Sequence, residues 1–287
     1  MNNFFRPIIC TLLRENGASQ QDILKLLSME KKLKETREYY MEYNCIFTID
    51  YKTFLNNYFR IRKLHLIGKT PKIINFHKLW YFKCVSFNKP VSSFGNLKYF
   101  VGGRFNQPVL NFGNLTHFIC SGFNQPVSSF GNLKHFECIC FDRLVSSFGN
   151  LKHFECFWFN QPVTSFGNLT HFECNFFNQP VSNFFNLTHF NCFVFDQPVA
   201  SFGNLTHFEC KFFNQPVSNF GNLTHFECGR FNQPLSSFDN LKHFICDNFN
   251  QPVSSLGNLK SFICSNFDQP LPTTFNNLPH IKYFGFE

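Results

Sequence analysis

A phenylalanine recurs every 18 residues from Phe87 to Phe267, opening eleven units whose consensus reads FNQPVSSFGNLTHFEC followed by two variable residues. A short fixed period of this kind specifies a solenoid, because one unit cannot bury its own apolar face and is stable only when stacked on its neighbours. The aromatic content follows from the repeat. Of the 45 phenylalanines, eleven stand in slot 1, nine in slot 8 and ten in slot 14 of the units, which makes these columns the expected spine of the core.

Within a unit the apolar slots are 1 (Phe), 5 (Val), 8 (Phe), 11 (Leu), 14 (Phe) and 16 (Cys). Slots 13 to 16, His-Phe-Glu-Cys, alternate polar and apolar with the period of a strand. Leu-x-x-Phe-x-Cys is close to the opening of a leucine-rich repeat. The expected fold is a mainly β solenoid, a right-handed leucine-rich-repeat-like stack with one short parallel strand per coil. A small α-helical module precedes it. Eighteen residues leave no room for a return helix, so the return should be extended or 3₁₀. A three-sided β-helix also has 18-residue coils, but its coils show three similar hexapeptides, and FNQPVS, SFGNLT and HFECxx are unlike one another.

The pattern sets the expected boundaries. Residues 1–60 do not repeat, and Ile8, Ile9, Leu12, Leu13, Ile23, Leu24, Leu26 and Leu27 suggest two short amphipathic helices forming a cap. In 61–86, Ile61, Leu64 and Leu66, then Leu79, Phe82 and Cys84, fit the Leu, Phe and Cys slots as degenerate first coils. The clear array runs over 87–270. In 271–287 the register slips by one, with Leu278, Ile281 and Tyr283 taking over, as suits a terminal cap.

The remaining slots read as solenoid hardware. Pro in slot 4 needs no ladder donor, and Gly in slot 9 suits a left-handed turn. Asn in slot 10 and Asn or Asp in slot 2 are expected to bond turn backbone groups. Ten cysteines fall in slot 16 and eight successive units carry His in slot 13. These slots have opposite parity on a strand, so one Cys and one His cannot converge on a metal ion. The cysteines are expected to be reduced, small core residues, and no metal or cofactor is expected. The outward histidines, among them His135, His153, His171 and His189, form either a solvated ladder or a partner-binding surface. Their mutual repulsion favours the neutral form, and the flanking glutamates favour some protonation.

Charge separates the chain in two. Residues 1–86 hold 15 Lys and Arg against 7 Asp and Glu, and 87–287 hold 11 against 11, so the whole formal charge of +8 lies in the first part. A neutral array is a poor partner for phosphate, and nucleic-acid binding is not expected. Nothing approaches a membrane span or a secretion signal, which suggests a soluble, cytoplasmic protein with no membrane partner. Catalysis needs one unlike constellation in a pocket, whereas every His, Glu, Cys and Ser here recurs in nearly every coil; the chain is expected not to be an enzyme. Specificity should lie where units differ. Slot 17 carries Ile139, Phe157 and Phe193, next to Trp158 in slot 18. If slot 17 follows the outward parity these residues form an exposed protein-binding patch; if slot 18 turns inward they are partly core.

The units resemble FNIP repeats, named for a Phe-Asn-Ile-Pro tetrapeptide that stands here as FNQP, known from amoebae and their large DNA viruses. The resemblance covers about 200 residues. It implies a protein-interaction array, in host cytoplasm if viral. Proteins of this family often carry an amino-terminal F-box that binds the Skp1 adaptor of a cullin ubiquitin ligase. Pro7-Ile8-Ile9, Leu12-Leu13 and Asp22-Ile23-Leu24 onward are similar to an F-box core. The resemblance implies that Pro7, Ile8, Leu12, Asp22, Ile23 and Leu24 contact a Skp1-like adaptor while the repeats hold a substrate. Stacking of whole molecules through exposed strand edges is the alternative, so the chain is either a monomer or a repeat-mediated assembly.

Overall fold

The computed structural model describes residues 47–49 and 62–284, apart from 68–75, 77–78, 92, 110–111, 128, 146–147, 164–165, 182–185, 200–202, 218–220, 236–239, 254–257, 272 and 274–277. The expected cap helices and the F-box-like residues Pro7, Ile8, Leu12, Asp22, Ile23 and Leu24 lie outside the described residues. The chain forms a parallel β-solenoid. Its strands are Phe47–Ile49 (β1), Lys63–Leu66 (β2), Tyr81–Lys83 (β3), Tyr99–Val101 (β4), His117–Ile119 (β5), His135–Cys138 (β6), His153–Cys156 (β7), His171–Glu173 (β8), His189–Cys192 (β9), His207–Cys210 (β10), His225–Cys228 (β11), His243–Cys246 (β12), Ser261–Ser265 (β13) and His280–Phe284 (β14). They make one sheet in sequence order. The first described strand, Phe47–Ile49, lies within the 1–60 segment expected to be a helical cap and upstream of the expected start at residue 61, with Phe47 in register with Leu64.

The register is the sequence period made physical. His171 pairs with His189, Phe172 with Phe190 and Glu173 with Asn191, so every slot becomes a column along the sheet. At the end the register slips by one residue, pairing Ser261 with His280 and Cys264 with Tyr283. Tyr283 takes the cysteine slot yet is 48 % exposed.

The inner face is packed with aromatic rings. In slot 14, Phe136, Phe154 and Phe172 stack on one another at 5.5 Å with planes 8° and 11° apart. In slot 1, Phe141, Phe159 and Phe177 stack at 6.0 and 6.1 Å. The two columns meet edge to face, with Phe154 and Phe159 at 5.0 Å and 68°. Both geometries suit the ring quadrupole, and each pair contributes about 0.5–1.5 kcal/mol beyond its burial. Leu133, Leu151 and Leu169 of slot 11 are fully buried beside them.

Slot 16 does more than fill space. All ten slot-16 cysteines are free and buried. The Cys156 Sγ donates to the Phe141 carbonyl at 3.0 Å and the Cys174 Sγ to the Phe159 carbonyl at 3.0 Å, closing each coil on its own first residue. Burial pushes the Cys156 and Cys192 thiols up to about 12, so they keep the proton they donate.

Side-chain ladders join the coils on their outer edges. The Asn88 Oδ1 accepts from the backbone N–H of Asn106 at 3.0 Å, and the Gln107 Nε2 donates to the same oxygen at 2.9 Å. The contact repeats up the stack, with Asp142 accepting from Asn160 and Gln161. Only an acceptor is used, which is why Asp stands in for Asn in this slot. In slot 10 the Asn132 Nδ2 donates to the Gly113 carbonyl at 3.3 Å and the Asn168 Nδ2 to the Gly149 carbonyl at 3.1 Å. These Asn side chains bond turn backbone groups, as expected, and the groups belong to the neighbouring coil and lie at exposed rather than buried positions. Gly113 and Gly131 have φ of 55°, the left-handed turn anticipated for slot 9.

Candidate functional site

With the inner face filled, the chemistry-bearing side chains stand on the open face of the sheet. Its first column is slot 13. Rings from His153 to His243 stack at 4.1–4.4 Å between centroids, closer than the strand spacing of about 4.8 Å. The His117–His135 and His135–His153 pairs are looser, at 5.7 Å each.

Both loose pairs involve His135. Where slot 12 is Thr, its hydroxyl donates to the slot-12 carbonyl one coil back and also touches the following ring. Thr170 reaches the Lys152 carbonyl at 3.0 Å and the His171 Nδ1 at 3.0 Å. The same pair of contacts holds at Thr188 and His189, Thr206 and His207, and Thr224 and His225. A hydroxyl has one proton. With it given to the carbonyl, Nδ1 must be the donor to Oγ1, and the hydrogen bonding assigns the ring proton there, leaving the Nε2 lone pair facing outward. His135 and His153 follow Lys134 and Lys152 and lack this lock.

Burial holds the imidazoles of His135, His171, His189, His207 and His225 below the ordinary value of 6.5, and their neighbours in the column add to the effect. The sequence anticipated the repulsion between rings but not the larger part played by burial. Among the described residues, only His135 has a carboxylate oxygen within 4 Å of its ring nitrogens, with Glu137 Oε2 at 3.7 Å from its Nε2.

Slot 15 forms the second column, Glu137, Glu155, Glu173, Asn191, Glu209 and Glu227. Burial and then carboxylate neighbours raise Glu155 and Glu173 above 4.5, and the same causes raise Glu227. Asn191 interrupts the column and donates to Glu209 at 3.3 Å.

These shifts set a stability profile of definite sign. The histidines hold protons less tightly folded than unfolded, so stability is complete above about pH 7 and is lost as pH falls through 6.5. The glutamates act in the opposite sense: their raised values mean that stability returns as pH falls through those values toward 4.5. Thermal melting should therefore dip in mildly acidic solution and partly recover, and replacing His171, His189 and His225 by Gln should flatten the descending limb. A descending limb unchanged in that variant would contradict the assignment.

The third column is slot 17, bordered by slot 18. Ile139, Phe157, Trp158 and Phe193 are 49, 40, 48 and 48 % exposed, so slot 18 here points outward and not into the core. Trp158 stacks on Phe176 at 4.4 Å, Phe157 lies edge-on to both, and Phe193 meets Phe212 at 5.2 Å. Arg230 sits over the Phe212 ring at 4.3 Å. Among the predicted residues, His135, His171 and His189 are half-buried and His153 is exposed, one column away from the aromatic strip with the glutamates between.

Shallow grooves separate the columns. One of about 340 Å³ lies between the His and Glu columns, bordered by His171, Glu173, His207 and Glu227. A second, about 310 Å³, lies on the other side of the Glu column and is bordered by Glu209, Glu227, Phe193 and Lys211. A third, about 160 Å³, brings Glu155 and Glu173 to Phe157 and Ile139. No cluster of three metal-ligating side chains occurs among the described residues, and no helix among them is long and apolar enough to cross a membrane. Comparison of the chain with protein-family models, curated proteins and solved structures gave no match.

Proposed function

We propose that the chain is a protein-interaction scaffold without catalytic activity, working in the cytoplasm, that binds a partner on the open face of its sheet. The observation that carries this reading is the strip Phe157, Trp158, Phe176, Phe193 and Phe212 beside repeated polar columns. Large rings left in water at one margin of a regular array cost solubility, and they suit a buried interface core. The histidines of slot 13 and the glutamates of slot 15 recur from coil to coil, which supports a binding surface in preference to a catalytic pocket. The coils are taken as right-handed and leucine-rich-repeat-like, supported by one strand in each coil.

The test is affinity capture by the full chain and by its F157A/W158A variant. Discrete proteins retained by the first and lost from the second, with the melting temperature preserved, are expected. Identical capture by both would overturn the reading. A finer reading makes the array the substrate-holding half of a ubiquitin-ligase adaptor of the FNIP-repeat type. Its support is the resemblance of the repeats and of the segment from Pro7 to Leu33. Capture of a purified Skp1-like protein by the full chain, abolished by I8D/L12D, is the expected result, and no capture would remove it.

A further inference from the structure

We infer that the partner segment recognised by the open face is an arginine-rich extended stretch of polypeptide lying across β8 to β11. The inference deepens the scaffold reading and rests on it. Three independent features of the same coils support it.

The first is the hydrogen-bonding character of the face. The Thr lock at residues 170, 188, 206 and 224 turns His171, His189, His207 and His225 into a row of outward Nε2 acceptors. Beside them Glu173, Glu209 and Glu227 offer only acceptors, and the one amide in that column, Asn191, is spent on Glu209. Such a surface is matched by a ligand with many N–H donors and no need to accept, as in guanidinium groups.

The second is charge. Slot 12 is Lys at 134, 152 and 242 but Thr at 170, 188, 206 and 224, so the window has no slot-12 cation within it and a lysine at each border. The cations nearest the window are spent within the chain: Lys211 bonds Asp247, and Arg230 stacks on Phe212. Glu173 and Glu227 are held in their carboxyl form to higher pH by burial and by neighbouring acids, a strain a cationic partner relieves.

The third is the aromatic margin. Phe157 and Phe193 line the very grooves that hold Glu155, Glu173, Glu209 and Glu227. A guanidinium placed there meets a carboxylate along its edge and a ring on its face. Arg230 over Phe212 is an example of that stacking within the chain. Lysine satisfies the charge but presents no plane to a ring, so arginine is the better fit.

The experiment measures binding of fluorescein-labelled nona-arginine, nona-lysine and nona-glutamate peptides to the full chain by anisotropy. Nona-arginine should bind more tightly than nona-lysine, and nona-glutamate should not bind. The E173Q/E209Q/E227Q variant should weaken nona-arginine by about tenfold or more, and F157A/W158A should remove most of the preference for arginine over lysine. A long-range ¹H–¹⁵N spectrum should find Nε2 unprotonated at His171, His189, His207 and His225. Binding unchanged by the triple substitution, equal affinity for both cationic peptides, or protonated Nε2 would each overturn the inference. So would self-association of the chain, seen by light scattering and abolished by the triple variant, because the occupant would then be the basic part of a second copy. If nona-arginine fails while F157A/W158A still loses its captured proteins, the scaffold reading stands and the choice of ligand is wrong.

Discussion

Replacing Phe154 by Ala should remove about 3–5 kcal/mol of stability, the cost of truncating a fully buried aromatic ring. Phe154 is 1 % exposed. Its ring lies parallel to Phe136 and Phe172 at 5.5 Å and edge-on to Phe148 and Phe159 at 5.1 and 5.0 Å. The void is therefore lined by rings that belong to three coils and are fixed by contacts of their own, so it collapses poorly. The loss compares with about 5–15 kcal/mol for a typical domain. In a stack held by nearest-neighbour contacts it should also weaken the joint between the halves, giving a broadened or two-step urea transition. Phe267 has the same chemistry near the end of the array, with Phe249 and Phe262 beside it and the exposed Tyr283 beyond. Phe267→Ala should cost less and leave a single transition. Equal losses from both positions, or a loss at Phe154 below about 1 kcal/mol, would contradict a continuous ring-stacked core.

Deleting residues 177–194, one whole coil, should leave a folded protein with a slightly lower melting temperature. Deleting residues 177–185, half as many, should abolish the cooperative transition of everything downstream. The larger deletion joins Phe176 to Phe195, which opens the next unit, so every column resumes in register with one interface fewer. The smaller joins Phe176 to Asn186. It brings Leu187, Phe190 and Cys192 nine positions early, with no slot-1 Phe or return segment to close the coil. The pairing of His171–Glu173 with His189–Asn191 is then lost, and with it the alignment of every Phe column across the joint. The loss should exceed about 5 kcal/mol, the low end of a whole domain's stability. Circular dichroism melts of the two deletions beside the parent chain decide the matter.

The period and the inward parity of Phe, Leu and Cys were legible in the sequence, because a fixed repeat and a two-residue alternation map directly onto columns and faces. The positive φ at slot 9 was legible too, since Gly recurs where only a turn can stand. Which atoms meet between coils was not legible. The bond from Asn106 N–H to the Asn88 Oδ1 spans 18 residues and that from the Asn132 Nδ2 to the Gly113 carbonyl spans 19, so turn chemistry pointed to backbone partners but could not say which coil supplies them. The exposed Phe157 followed from strand parity carried one residue past Cys156, but the exposed Trp158 did not, because slot 18 has the inward parity of Cys156. The acceptor character of the His column did not, because it depends on a Thr hydroxyl bonding two groups at once, one of them in the preceding coil. The alternation of Thr and Lys in slot 12 was the signal that could have found it.

The central claim is that successive 18-residue units stack in register and turn their slots into straight columns across the sheet. Pulsed electron spin resonance between nitroxides placed in slot 15 tests it directly, using ketone-bearing residues so that the native cysteines stay unlabelled. Ile119 and Glu227 are six coils apart and Ile119 and Ile263 are eight. At about 4.8 Å per coil the backbone separations are about 29 and 38 Å, so the second pair should read about 10 Å longer than the first. Two distances that fail to differ by about that amount, or that do not increase with the number of units between them, would contradict the stack.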